Sequence, residues 1–227
     1  MAARAALMFP GLCLADSVSS RAFPTPPPRP PELSAPPLSG GRNSDRVCET
    51  DAGVGVMQGD ALEPITAEGG CGVADPVLLK SITLRDGLRV LVVPPARIGC
   101  PLAVALARWL RDDVAVSIPQ ESGALAQIEI AGAYECRGRN RDAAAKLSEH
   151  GKGNALDITA FLSDKGRRFG ISRQATPPAF FQSLKGGACA RFMTVLGPGS
   201  DSFHETHLHV DLEERKHGAH VCQWLIN

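Results

Sequence analysis

Residues 203–211 read Phe-His-Glu-Thr-His-Leu-His-Val-Asp and hold three of the chain's six histidines. In an extended strand alternate side chains share a face, so His207 and His209 fall on one side, roughly 7 Å apart. Two imidazoles so placed can serve one divalent metal, one as ligand and the other as proton carrier. A second stretch, Ser148-Glu149-His150-Gly151-Lys152-Gly153-Asn154-Ala155-Leu156-Asp157, adds a histidine and, seven residues on, a carboxylate. The small residues Gly151, Gly153 and Ala155 let backbone and ligand come close. Together the two stretches predict His150, Asp157 and His209 around one metal. Three protein ligands leave a fourth position open, as a catalytic zinc requires, whereas four would close a structural site. A lone strand histidine is ordinarily a core or surface residue. The pairing of the two stretches is what carries the metal reading.

These side chains need elements to hold them. Gln127–Ala131 alternates polar and apolar, as a half-buried strand does, and leads to Tyr134, Cys136 and Arg137. Ala155–Phe161 reads as the strand carrying Asp157, and Val210–Leu212 continues the strand of His207 and His209. Leu84–Val93 reads as a turn and strand ended by Pro94-Pro95, and Val114–Ile118 as a short strand. Helical spacing of Leu102, Leu106, Trp109 and Leu110 predicts a helix over Cys100–Asp112. A second is expected over Pro178–Phe192, with Thr176 as N-cap, Pro177 at the first helical position and Gly186-Gly187 weakening its middle. Strands and helices alternate irregularly. The expected class is therefore α+β, with a small, mostly antiparallel sheet and flanking helices.

Composition narrows the partners. Lys plus Arg and Asp plus Glu balance at 24 each, so no basic footprint points to nucleic acid. No apolar run approaches the roughly 20 residues of a membrane-spanning helix. Residues 1–15 combine Arg4, a short apolar stretch and Cys13-Leu14-Ala15, and resemble a secretory signal peptide. Between Pro24 and Pro37 eight of fourteen residues are proline, which predicts an extended spacer within 16–45 and an ordered domain over 46–227. Cys48, Cys71, Cys100, Cys136, Cys189 and Cys222 follow, none in CxxC spacing. An even count in an exported chain predicts disulfides, with fifteen pairings open. Cys136, near the histidine stretch, is also a candidate thiolate ligand. His217 and His220 lie in a polar stretch and read as solvated.

The pattern Ser148-x-His150-x-x-Gly153-x-Ala155-x-Asp157, followed by His204-x-x-His207-x-His209, resembles the metal site of the LAS metallopeptidases. That group holds peptidoglycan endopeptidases, D-Ala-D-Ala carboxypeptidases and lysostaphin-type enzymes. More closely, Cys136-Arg137, Leu147–His150, Gly153–Ile158, Cys189 and Thr194–Asp201 resemble the bacterial extensin-like C-terminal domain family. The resemblance spans Cys71 to Cys222. It implies a LAS metallopeptidase-like fold, Zn2+ held by His150, Asp157 and His209, His207 as catalytic imidazole, His204 as a further active-site histidine and Arg137 polarising the scissile carbonyl or binding substrate. Where the carboxypeptidase branch has a Glu three residues before the last histidine ligand, this chain has Thr206. Glu205 is one residue off, on the opposite phase of a strand. The resemblance thus implies a zinc-dependent peptidoglycan hydrolase, periplasmic or secreted, that cuts cross-link peptides as an endopeptidase. The alternatives are a D,D-carboxypeptidase and a non-catalytic zinc-containing wall-binding domain.

Overall fold

Short runs of β-branched and aliphatic residues build most of the protein. The computed structural model describes residues 48, 56–84, 86–142, 144–175 and 177–226. The expected signal segment at 1–15 and the proline-rich stretch at 16–45 lie outside these. In chain order come β1 (Val56–Ala61), β2 (Ile65–Thr66), β3 (Gly72–Val73), β4 (Pro76–Thr83), β5 (Arg89–Gly99), α1 (Cys100–Trp109), α2 (Ala115–Ser117), β6 (Leu125–Gly132), β7 (Ala155–Ser163), β8 (Arg168–Gly170), α3 (Pro178–Arg191), β9 (Thr194–Leu196), β10 (Leu208–Asp211) and β11 (Val221–Gln223). Nine of these strands form one sheet in the order β1-β4-β5-β6-β7-β10-β9-β11, with β8 added to β7. Its pairs are antiparallel except β5 with β6 and β9 with β11. The class is α+β, as expected. The sheet is larger and more mixed than expected, because three-residue strands such as β9 and β11 are too short to show a period.

Helices α1 and α3 cover one face of the sheet. Trp109, fully buried, donates its indole N–H to the Leu184 carbonyl at 3.2 Å. Its ring meets Phe161 and Phe192 edge to face, with centroids 5.6 and 5.7 Å apart. Each such ring pair adds about 0.5–1.5 kcal/mol beyond the area it buries. Trp109 therefore ties α1 to α3 and both to β7, the strand that carries Asp157.

Five local expectations need correction. Pro94 and Pro95 do not end β5. The β4–β5 ladder shifts there, Leu79 facing Ala96 and Ser81 facing Leu91, and pairing with β6 stops at Val93. The prolines thus occupy positions where no ladder N–H is needed. Val114–Ile118 is not a strand but the end of the first helix: after a π turn over Leu110–Val114 the helix runs on to Ser117. Leu110 and Val114, four residues apart, are both buried, and packing against α3 outweighs the β preference of valine. Pro177 is the N-cap of α3 and Pro178 its first residue, one position later than expected, while Thr176 lies outside the described residues. Gly187, within the pair expected to weaken α3, instead permits close approach: a Cβ there would stand 2.3 Å from Asp113 Cγ. Finally, β10 starts at Leu208, so His207 precedes the strand.

All six cysteines of the domain are bridged, as Cys48–Cys100, Cys71–Cys136 and Cys189–Cys222. Cys136 is therefore no thiolate ligand. On the chain-entropy account loops of these lengths stabilise the fold by roughly 4 kcal/mol per bridge. Three bridges suit an oxidising compartment. No helix among the described residues is long and apolar enough to cross a membrane. The bridges have a direct check. Denatured, unreduced protein should titrate at most one thiol, that of Cys13, against seven after reduction; six or seven thiols before reduction would contradict the bridges.

Candidate metal centre

Strand register builds the site. On β10, Leu208 and Val210 enter the core while His209 and Asp211 take the other face. His209 stands directly opposite Asp157 of β7 in an antiparallel pair, which brings their Cβ atoms to about 4.5–5.5 Å on one face. Leu156 and Ile158 point to the core on either side of Asp157, and so does Phe161. That switch of phase comes from Thr159, which has no partner where Glu129 pairs with Ala160 and Ile130 with Ile158. On the other flank of Asp157 stands Gly132. A Cβ there would lie 2.5 Å from Asp157 Oδ2, so only glycine leaves the carboxylate its place.

His150 arrives from a different element. It sits in a 3-10 turn, Glu149–Lys152, whose N-cap Ser148 accepts from the His150 N–H through its hydroxyl. Glu149 is buried and binds Lys152 Nζ at 2.6 Å and Asn154 Nδ2 at 2.8 Å, closing the turn on itself. Gly153 ends it in the left-handed region, and the Gly99 N–H donates to the Gly153 carbonyl.

The three predicted ligands converge. One candidate atom from each of His150, Asp157 and His209 lies within 4.8 Å of the other two, all three side chains buried. His150 Nε2 is 3.2 Å from Asp157 Oδ2 and His209 Nδ1 is 2.9 Å from Asp157 Oδ1. Tetrahedral zinc ligands stand about 3.3 Å apart, close to both of these separations, and the candidate nitrogens of the two histidines lie within 4.8 Å of each other. The outer nitrogens fix the inner ones. His150 Nδ1 donates to the Ala133 carbonyl at 2.7 Å, leaving Nε2 to face the Asp157 carboxylate and, once deprotonated, a metal. His209 Nε2 donates to Asp211 Oδ2 at 3.1 Å, leaving Nδ1 inward.

Electrostatics agree with an unmet positive charge. Burial alone would raise the Asp157 carboxyl, but hydrogen bonds from His150 and His209 hold it well below its ordinary 3.8. Burial would lower His209, yet its hydrogen bonds to Asp157 and Asp211 push it up to about 9. Without metal, a proton on His209 fills the gap between the two. Asp211 is likewise lowered, burial opposing and His209 and Thr194 prevailing.

The remaining predicted residues line the same cavity, of about 620 Å³. His207 Nε2 is 3.8 Å from Asp157 Oδ1. His204 is buried, its ring 5.1 Å from that of His207 and 5.7 Å from that of His209. Arg137 is anchored by Nε to Glu135 Oε2 at 2.7 Å. Glu205 pairs twice with exposed Arg173, away from the cavity lining. His217 and His220 are exposed.

A model of the family described as extensin-like protein C-terminus matches residues 46–223. The chain belongs to that family. No curated protein and no solved structure matches it. Two acids of this extensin-like domain escaped the sequence reading as site residues. Asp211 is the outer partner of His209, two residues on and on the same strand face, so the alternation could have named it. Asp201 Oδ1 holds His204 Nδ1 at 2.7 Å and accepts from the backbone N–H of Phe203 and His204. A turn of that kind is common enough to carry no signal.

Metal titrations test the centre. Wild-type protein should bind one zinc, and His209→Ala should lose most of it. Gly132→Ala, whose extended backbone accepts alanine, should crowd Asp157 and weaken metal binding, as should Asp211→Asn, each by about 10–100-fold. Unchanged zinc affinity in all three would remove the site.

Proton linkage gives a separate check. Since metal must displace the His209 proton, affinity should climb about tenfold per pH unit through neutrality and level off near pH 9. In chelated protein the signs differ. His209, raised, stabilises fully below 6.5 and loses its contribution as pH rises through about 9. Asp157, lowered, contributes above 3.8 and loses its share as pH falls. Melting of chelated protein at pH 5–6 and pH 10 should therefore show the lower midpoint at pH 10.

Proposed function

We propose that this extensin-like domain is a zinc-dependent hydrolase of amide bonds in the cross-link peptides of peptidoglycan, acting as an endopeptidase outside the cytoplasm. One observation carries the reading: a three-ligand metal set and two further imidazoles, His204 and His207, share one cavity. The ligand and histidine pattern resembles that of the LAS metallopeptidases, and the reading implies their fold. Three disulfides support export.

Zinc, when bound, acts as a Lewis acid that acidifies a water and polarises the amide carbonyl. His207 supplies the base. Burial lowers it below 6.5, and His204, His209 and His150 push the same way against the attraction of Asp157. It is therefore neutral at pH 7, able to take the water's proton at Nε2 and return it to the leaving amine. His204, its Nδ1 held by Asp201, stands with its ring 5.1 Å from that of His207. Arg137, tethered through Nε, offers its terminal N–H groups to the developing oxyanion, a contribution of about 2.7–4 kcal/mol for a well-placed donor. Thr206, where a carboxypeptidase of the resembling group has Glu, is exposed, and Glu205 is held by Arg173; a histidine base is the remaining choice.

Digestion of purified peptidoglycan tests this. Cross-linked muropeptide dimers should become monomers, with activity abolished by chelator and restored by zinc. His207→Ala should keep its metal and lose about 10²–10⁴-fold in rate. Release of terminal D-alanine alone, dimers intact, would make the protein a carboxypeptidase. Absence of any turnover with zinc bound would leave a wall-binding domain.

A further inference from the structure

One wall of the cavity is built from arginines, of which the hydrolytic reading uses only Arg137. Glu213, buried, is contacted by three cations: Arg139, Arg215 and Lys146, the last at 2.8 Å. Glu135 is contacted by two, Arg137 and Arg141. Five cations against two carboxylates leave three positive charges in excess. Asp211 does not absorb them, since its oxygens serve His209 Nε2 and the Glu213 N–H. Arg137, Arg139, Arg141 and Arg215 all line the cavity that holds the metal ligands.

The wall is held in place by backbone as well as charge. Backbone contacts join its two sides: Gly138 bridges Leu147, and the Arg139 N–H donates to the Lys146 carbonyl. Asn140 and Arg141 both take left-handed backbone, with φ of 53° and 62°, which non-glycine residues seldom adopt. Arg215 is fixed from the far side by the Met193 carbonyl and Thr194 Oγ1. Glu149, Asp157, Asp201 and Asp211 also line the cavity but are taken up by Lys152, the ligand histidines and His204, so the remaining N–H groups of Arg139 and Arg141 are left for an anion.

We propose that this arginine wall is a carboxylate-binding subsite, which selects peptides bearing a free carboxylate near the scissile amide. Planar guanidinium groups suit a carboxylate, which accepts two parallel N–H bonds. The carboxylate can be a chain terminus or an acidic side chain; the recognising chemistry is the same. This deepens the peptide-hydrolase reading, yet it is read by binding alone and does not need turnover.

The test is calorimetric titration of full-length, zinc-loaded His207→Ala protein, in which cleavage is silenced. Three probes place the charge differently: acetyl-Ala-D-Ala-D-Ala, its C-terminal amide, and an amide with D-Glu replacing the central D-Ala. At least one acid peptide should bind about tenfold or more tighter than the neutral amide, with the preference shrinking as salt rises. The position of the preferred acid identifies which carboxylate is read. Arg139→Gln with Arg141→Gln should abolish the preference, leaving zinc content and neutral-amide affinity unchanged. That pair keeps Arg215 and Lys146 on Glu213 and Arg137 on Glu135, so neither carboxylate is stranded. Equal affinity for all three peptides, or no binding by any, would overturn the proposal. So would equal losses for acid and amide in the double variant, or displacement by inorganic phosphate as effective as by the carboxylate-bearing peptide. Dimers left uncut with the acid preference intact would sink the hydrolase reading and leave the subsite standing.

Discussion

The arrangement depends on one register: His209 opposite Asp157 on neighbouring antiparallel strands. A one-residue slip of β10 would drive His209 and Asp211 into the core and carry Leu208 and Val210 into the cavity. A buried carboxylate without partners is costly, and here two imidazoles offset that cost. The rest of the fold keeps β7 and β10 in phase. Trp109 clamps the helices onto Phe161, the Thr159 bulge turns Phe161 inward without rotating Asp157, and Gly132 clears space beside the carboxylate. Bulge and glycine both lie beside the ligand they serve, Thr159 two residues along β7 and Gly132 opposite it on β6, a common place for such irregularities.

Much of the site was legible because its chemistry is local. His207 and His209 share a short segment, and Ser148–Asn154 is a self-contained turn in which Ser148 caps, Glu149 closes and Gly153 ends the element that presents His150. Spacing within such segments predicts direction. The convergence of His150 with Asp157 and His209 was inferred from the two stretches read together; the β7–β10 pairing joins Asp157 to His209, and the Glu149–Lys152 turn brings in His150. Contacts that depend on distant pairing were not legible. Glu213 with Arg139 and Lys146 spans 74 and 67 residues, and no periodicity records it. The same holds for the sheet, where β9 and β11 become strands only because partners lie beside them. Pro94-Pro95 misled for a related reason: a proline breaks a ladder only where an N–H was required, and the two flanking strands decide that.

His209, Asp211 and Glu213 show how one run of alternate residues serves three purposes. His209 turns its Nδ1 to the metal ligands, Asp211 steadies its Nε2, and the Glu213 N–H holds the second oxygen of Asp211. Glu213 then gathers the cations of the arginine wall. Four residues of extended chain span at most roughly 13 Å, so the metal ligands and the wall stand within the reach of one short peptide. The span also separates two uses of arginine. On the proposed reading Arg137, anchored by Glu135, would meet the reacting carbonyl, whereas Arg139 and Arg215, gathered by Glu213, would meet a group some residues away. Remote contact of that kind is useful to an enzyme when it holds the substrate in one register over the reacting centre. A carboxylate is a good handle for it, because it is charged, planar and fixed in position along the peptide.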